Sequence, residues 1–307
     1  MLRPFTLHRP ATAKAACALL AELGEDAAVY AGGTELLLLM KLGLLRPRHL
    51  VDVKRLPGFG VITDGPRLTI GAAVTHRAVE QSALIRARCP LVGAVARHVA
   101  NVRVRNVGTV GGNLAFADPH SDPATLFLTL DASVALRSPR GRRELSLADF
   151  VRGPWETARA ADELVESVTL TPPPREASAA YVKFGVHERP TLAVAAVLRL
   201  DAPAGAARDG PRIVGARIAV GCVSPRPLRI ADAEARLEGV SVTDLERAAR
   251  AASDAAAAGV DPADDLYGSA DYKREMVAVF VRRALRVAAS RARGVEPAER
   301  FPHAVVA

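Results

Sequence analysis

The chain has 307 residues, half of them hydrophobic, which exceeds one minimal core and suits two or three packed domains. Its net charge of +8 is carried mainly by dispersed arginines, and with 4% aromatic residues the stacking platforms of a nucleic-acid binder are scarce. No apolar run nears the roughly 18 residues of a membrane span, and Met1 to Leu7 contains no signal core, so a cytoplasmic chain is expected.

The first segment reads strand, helix, strand. Phe5 to Leu7 is extended, Thr12 can cap a helix through Ala15, Leu19, Leu20 and Leu23, and Gly24 stops it. Ala27 to Tyr30 is a strand running into Gly32-Gly33, Glu35 to Leu42 a short helix ended by Gly43, and His49 to Val53 a further strand. Leu56-Pro57-Gly58-Phe59-Gly60 marks a composition shift. Beyond it come a strand at Leu68 to Gly71, a helix capped by Thr75, a helix through Leu91, Val95 and Val99, a second glycine loop, and an apolar run from Leu126 to Leu136. Leu164 to Leu170 closes this part, and Pro172-Pro173-Pro174 is a stiff linker. The remainder predicts antiparallel strands at Tyr181 to Phe184, Leu192 to Leu200 and Ile213 to Val223, with a turn-rich loop from Ala202 to Pro211. Helices follow near 230–238, 243–258 and 269–292, the last capped by Ser269, and a weakly ordered tail from Pro297.

Two loops carry chemistry: Ala31-Gly32-Gly33-Thr34-Glu35-Leu36 and Thr109-Val110-Gly111-Gly112-Asn113. A dinucleotide pyrophosphate is doubly negative and needs several donors aimed at one small volume. Successive backbone N–H groups in a tight turn provide them, glycine lets the backbone approach closely, and a following helix adds its dipole. Thr34 and Thr109 add hydroxyls and Asn113 an amide. Neither loop is G-x-G-x-x-G; Gly58-Phe59-Gly60 begins that pattern, but Thr63 replaces its third glycine. Cys17, Cys89 and Cys222 are isolated, read as buried thiols, and cannot ligate an iron–sulfur cluster. His8, His49, His76, His98, His120, His187 and His303 show no zinc spacing, so no metal site is expected. Asp118, His120 and Ser121 lie too close in sequence for a hydrolytic triad, and His120 reads as a surface-loop histidine rather than a covalent flavin link. No catalytic residue is assigned.

On Ala31 to Leu37, and more specifically on Arg105-Asn106-Val107-Gly108-Thr109-Val110-Gly111-Gly112-Asn113-Leu114-Ala115 continuing to Asp118-Pro119 and Asp122, the chain resembles the FAD-binding medium subunit of the molybdenum hydroxylases, the carbon monoxide dehydrogenase and xanthine dehydrogenase family. Tyr181-x-Lys183-Phe184, Arg226 to Arg229, Tyr272-Lys273-Arg274 and Arg283-Ala284-Leu285 extend the likeness. The resemblance implies an α+β architecture: a two-part FAD-binding domain of the vanillyl-alcohol oxidase (PCMH) type, followed by a C-terminal α+β domain like that of the carbon monoxide dehydrogenase flavoprotein. The units are placed at 1–55, 56–174 and 175–292, with a tail at 293–307. By the same resemblance residues 31–36 and 109–113 wrap the FAD pyrophosphate, Asp122 bonds the sugar-phosphate portion, and Lys183 lies near the flavin. The implied function is electron transfer from a [2Fe–2S] small subunit, fed by a molybdopterin large subunit, to an external acceptor such as quinone, NAD or oxygen. A stand-alone flavin oxidase or dehydrogenase, a relative of the reductase that makes UDP-N-acetylmuramic acid, and a non-catalytic flavin-holding subunit remain open. Glu35 departs from the Asp or Ser common there, and His120-Ser121 from small residues.

Overall fold

The computed structural model describes residues 2–185, 189–202, 211–297, 301 and 303–307; His187 and most of the predicted 202–211 loop lie outside the described residues. Strand β1 (Thr6–His8) leads into α1 (Ala13–Leu23), capped by the Thr12 hydroxyl, which accepts from the Ala15 N–H. Then come β2 (Ala27–Tyr30), α2 (Leu36–Leu42) and β3 (His49–Asp52). The three strands form a parallel sheet in the order β1-β3-β2, with Ala27 opposite His49. The glycine turn thus lies at the carboxyl end of β2, where a parallel strand hands over to a helix and α/β folds place their ligands.

A second, antiparallel sheet is built from β4 (Ile62–Thr63) and β5 (Leu68–Gly71), then β6 (Ser133–Ser138) and β7 (Gly141–Ser146) after a helical insertion. The insertion comprises α3 (His76–Gln81), α4 (Ala83–Arg88), α5 (Pro90–Ala96), α6 (Val102–Val107), α7 (Val110–Phe116) and α8 (Asp122–Leu128). Helix α9 (Leu147–Phe150) and the hairpin β8 (Val151–Gly153) and β9 (Glu156–Thr157) precede β10 (Leu164–Leu170), which fills the sheet centre in the order β4-β5-β10-β6-β7. The apolar run from Leu126 to Leu136 is therefore not one element. The Asp131 turn, with φ of 44°, divides the end of α8 from β6.

The third sheet is antiparallel: β11 (Ala177–Phe184), β12 (Leu192–Leu200), β13 (Ile213–Gly221) and β14 (Leu228–Arg229). Helices α10 (Ala231–Ala235), α11 (Leu245–Ala258) and α12 (Ala270–Ala292) follow. The tail departs from expectation: β15 (Ala304–Val306) pairs with β11, and the Tyr181 and Ala307 backbones exchange hydrogen bonds of 2.9 and 2.8 Å. Strand β12 is buried along almost its whole length because both faces are covered. Val194, Ala196 and Leu198 join the core that includes Val277, Phe280 and Val281 of α12. Ala193, Ala195 and Val197 face the core shared with Leu126 and Phe127 of α8. The C-terminal sheet is thus seated directly on the helical insertion, with Cys17, Cys89 and Cys222 all buried. No described helix is long and apolar enough to cross a membrane.

Candidate cofactor-binding site

The two glycine loops meet. A Cβ at Gly32 would lie 2.2 Å from the Val107 carbonyl oxygen and 2.8 Å from Gly108 Cα, so only a bare backbone fits. Gly33 has φ of +71°, the left-handed region that lets the chain turn off β2 into α2. Among the described residues, the amides of Gly32, Gly33, Thr34, Glu35 and Leu36 have no acceptor, although Leu37 and Leu39 already donate to Gly33 and Glu35. Five successive unspent N–H groups at the start of a helix form an anion cradle.

The second loop is built differently. Thr109 is the N-cap of α7, and its hydroxyl accepts from Gly112 N–H at 3.0 Å. Val110 N–H donates to Val74 O, Gly111 N–H to Ala72 O, and Asn113 N–H to Thr109 O, each at 2.9 Å. The backbone amides of Val110, Gly111, Gly112 and Asn113 thus each have an acceptor within the protein. The two glycines also have packing roles: a Cβ at Gly111 would lie 2.4 Å from the Ala72 side chain, and one at Gly112 would lie 2.8 Å from Thr109 Oγ1. What this loop offers outward is the exposed backbone of Gly112 and the side chain of Asn113, whose Nδ2 has no acceptor among the described residues.

Beyond α7 the chain turns at Asp118 to Ser121. Asp118 Oδ1 accepts from His120 N–H at 2.9 Å and lies 3.2 Å from His120 Nδ1, while Oδ2 pairs with Arg189 at 2.9 Å. Burial alone would raise the Asp118 carboxyl, but the His120 hydrogen bonds and the Arg189 charge outweigh it and hold it below the usual range. His120 is not the surface histidine expected: it packs against Tyr267 at 5.0 Å between centroids, and its Nε2 is buried without a partner among the described residues. Burial pushes the Glu35 carboxyl up; Arg189 opposes this and Asp118 adds to it, so the first loop faces this turn. Among the described residues no three metal-ligating side chains cluster.

Asp122, expected at the sugar-phosphate portion, and Lys183, expected near the flavin, pair with each other. Lys183 Nζ donates to Asp122 Oδ2 and to His98 O, and Tyr181 O–H donates to Asp122 Oδ1, all at 2.7 Å. Asp122 and Lys183 are each about 4% exposed. Burial pushes the Asp122 carboxyl up against the pull of Lys183 and Tyr181, and drives the Tyr181 hydroxyl and the neighbouring Cys222 thiol well above their ordinary ranges. This clamp joins α8 to β11. The sequence before Pro123 also reads as a helix or turn cap at Asp122; the structure gives the cap to Ser121 and makes Asp122 the first residue of α8.

The floor beneath the loops holds His76, whose N–H donates to Gly108 O at 3.0 Å and whose side chain is 3% exposed. Burial, reinforced by Arg105, lowers its pKa from 6.5 to about 4. The unfolded chain therefore binds a proton between those values that the folded chain refuses, so stability is lost as pH falls through that window. The loss is about 3 kcal/mol at 1.36 kcal/mol per unit. Denaturant titrations at pH 7 and pH 4.5 check this: His76→Phe should flatten the dependence, and an unchanged slope would remove His76 as its cause.

Comparison with known proteins agrees across the length of the chain. Residues 3–173 match the FAD binding domain in molybdopterin dehydrogenase, and residues 181–288 the CO dehydrogenase flavoprotein C-terminal domain. The carbon monoxide dehydrogenase medium chain of Hydrogenophaga pseudoflava is 34% identical over 290 residues, covering 94% of this chain and 98% of that one. The nicotine 6-hydroxylase medium subunit of Paenarthrobacter nicotinovorans is 34% identical, covering 92% and 96%. A solved structure of the Hydrogenophaga pseudoflava carbon monoxide dehydrogenase superposes with a TM-score of 0.87 at 35% identity, over 95% of this chain and 99% of that one.

Proposed function

The chain belongs to the FAD-binding medium subunits of the molybdenum hydroxylases, and on that premise we propose that it is the flavin subunit of a multi-subunit dehydrogenase and passes electrons from a [2Fe–2S] partner to an external acceptor. The observation that carries the reading is the run of five unspent amides from Gly32 to Leu36, packed at Gly32 against the Val107–Gly108 backbone that leads into the second loop, which suits a doubly charged pyrophosphate.

Residues 32–36 would hold the pyrophosphate, with Ala31 leading the chain into the cradle. Asn113 and the exposed backbone at Gly112 would line its other side. Thr109, Val110 and Gly111 keep α7 in place, and Asp122 and Lys183 hold the C-terminal sheet against it. Bound FAD supplies one- and two-electron redox chemistry, which lets single electrons from clusters leave as pairs. The three cysteines are buried and isolated, so the clusters belong to a partner, as does the molybdopterin. Quinone, NAD and oxygen are the candidate acceptors. The boundaries proposed for the units are 1–55, 56–174 and 175 onward, with β15 included in the last.

The test is anaerobic stopped-flow on the purified chain. It should carry noncovalent FAD that FMN cannot replace, and dithionite should bleach it. Organic substrates should bleach it only after the iron–sulfur and molybdenum subunits are added. Rapid substrate-driven bleaching of the chain alone would overturn the relay and favour a stand-alone flavoenzyme.

A further inference from the structure

The side-chain amide of Asn113, partly exposed on α7, can turn either its oxygen or its NH2 group outward, since the two differ by a half-turn about the last side-chain torsion. Only the NH2 end serves an anion. Ser121 Oγ lies 2.6 Å from Asn113 Oδ1 and accepts the Ala124 N–H at 3.2 Å as the N-cap of α8. That acceptance leaves the hydroxyl proton to be placed, and Asn113 Oδ1 receives it. If the amide turned over, the hydroxyl of a residue only 4% exposed would lose this acceptor, and a carbonyl oxygen would face the anion.

Ser121 is itself fixed. Its N–H donates to Asp118 O at 3.0 Å, its carbonyl accepts from the Thr125 hydroxyl at 3.1 Å, and the next residue, Asp122, is gripped by Tyr181 and Lys183. Hydrogen bonds from β11 to Asp122 and from Ser121 to Asn113, joined by the Ser121–Asp122 peptide, therefore link β11 through the start of α8 to α7.

We infer that Ser121 is a positioning residue that locks the Asn113 amide with its NH2 group toward the phosphate-bearing ligand, and that the seating of the C-terminal sheet fixes this orientation through Asp122. The inference rests on the FAD reading above and assigns Ser121 no contact with the cofactor.

A double-mutant cycle on the full chain, with FAD affinity measured by calorimetry, tests it. Ser121→Ala should weaken FAD about 5- to 10-fold and Asn113→Ala about 10- to 30-fold, while the double variant should match Asn113→Ala within about 2-fold. Ser121→Gly, a tolerated N-cap, repeats the test if the alanine variant folds poorly. Additive losses would show that Ser121 acts through helix capping alone and would overturn the inference. A wild-type chain that binds no FAD would instead sink the cofactor reading, so the two failures are distinguishable.

Discussion

Replacing Lys183 by methionine is expected to destabilise the fold by about 3–5 kcal/mol, the range for removing one partner of a buried ion pair. Nζ has two acceptors, Asp122 Oδ2 and His98 O, and Asp122 would keep only the Tyr181 hydroxyl. A carboxylate so placed escapes by taking up a proton. Its folded pKa, already raised by burial, would climb further above the unfolded value. The deficit of Lys183→Met relative to the wild type should therefore be smallest at acid pH and grow as pH rises through that raised pKa, which is opposite in sign to the His76 effect that both chains share. Adding Asp122→Asn should recover much of the loss, because a neutral amide needs no counter-charge. Denaturant melts from pH 5 to pH 8 read both effects. A stability deficit that ignores pH would mean that lost packing, not the stranded carboxylate, is responsible.

Gly32→Ala is expected to weaken FAD at least about a hundred-fold, near 2.7 kcal/mol. The new methyl would sit 2.2 Å from Val107 O, a backbone atom that α6 and the Gly108 turn hold in place, so the first loop must lift away and its amides lose their common focus. Gly60→Ala is the control, since its Cβ meets nothing within 4 Å and its φ is not in the left-handed region. Flavin fluorescence titration measures both variants. Wild-type affinity in a folded Gly32→Ala chain would show that the cradle lies elsewhere.

Much of the fold was legible because local signals agreed with the tertiary structure. The Thr12, Thr75 and Ser269 caps, the Gly24 and Gly43 stops, and strands Ala27–Tyr30 and Leu192–Leu200 all occur where capping and patterning place them. The exceptions have physical causes. The Leu126–Leu136 run hid a helix-to-strand change because both elements are buried all round and carry no periodic signature. Strand β15 was missed because a short edge strand owes its place to β11, far away in sequence.

Within the candidate site, the residue types of the glycine loops were readable, but their division of labour was not. Whether an amide is spent depends on what lies opposite, and Ala72 and Val74 come from a segment that no motif links to Gly111 and Val110. For the same reason no motif revealed that Asp122 and Lys183 pair with each other. Their mutual burial follows from the seating of β11 on α8, a contact across 61 positions.

The unequal use of amides in the two loops also sets how the ligand can be taken up. The Thr109–Asn113 segment has already satisfied its backbone, and the Gly32–Leu36 segment holds its donors together without engaging them in the protein. Seating an anion there would break no internal hydrogen bond, so on the proposed reading the receptor is pre-organised and the entropy lost would fall chiefly on the flexible dinucleotide. On the proposed reading the chain would act as a socket formed in advance for a limp ligand, and exchange of the cofactor would need no refolding of the socket itself.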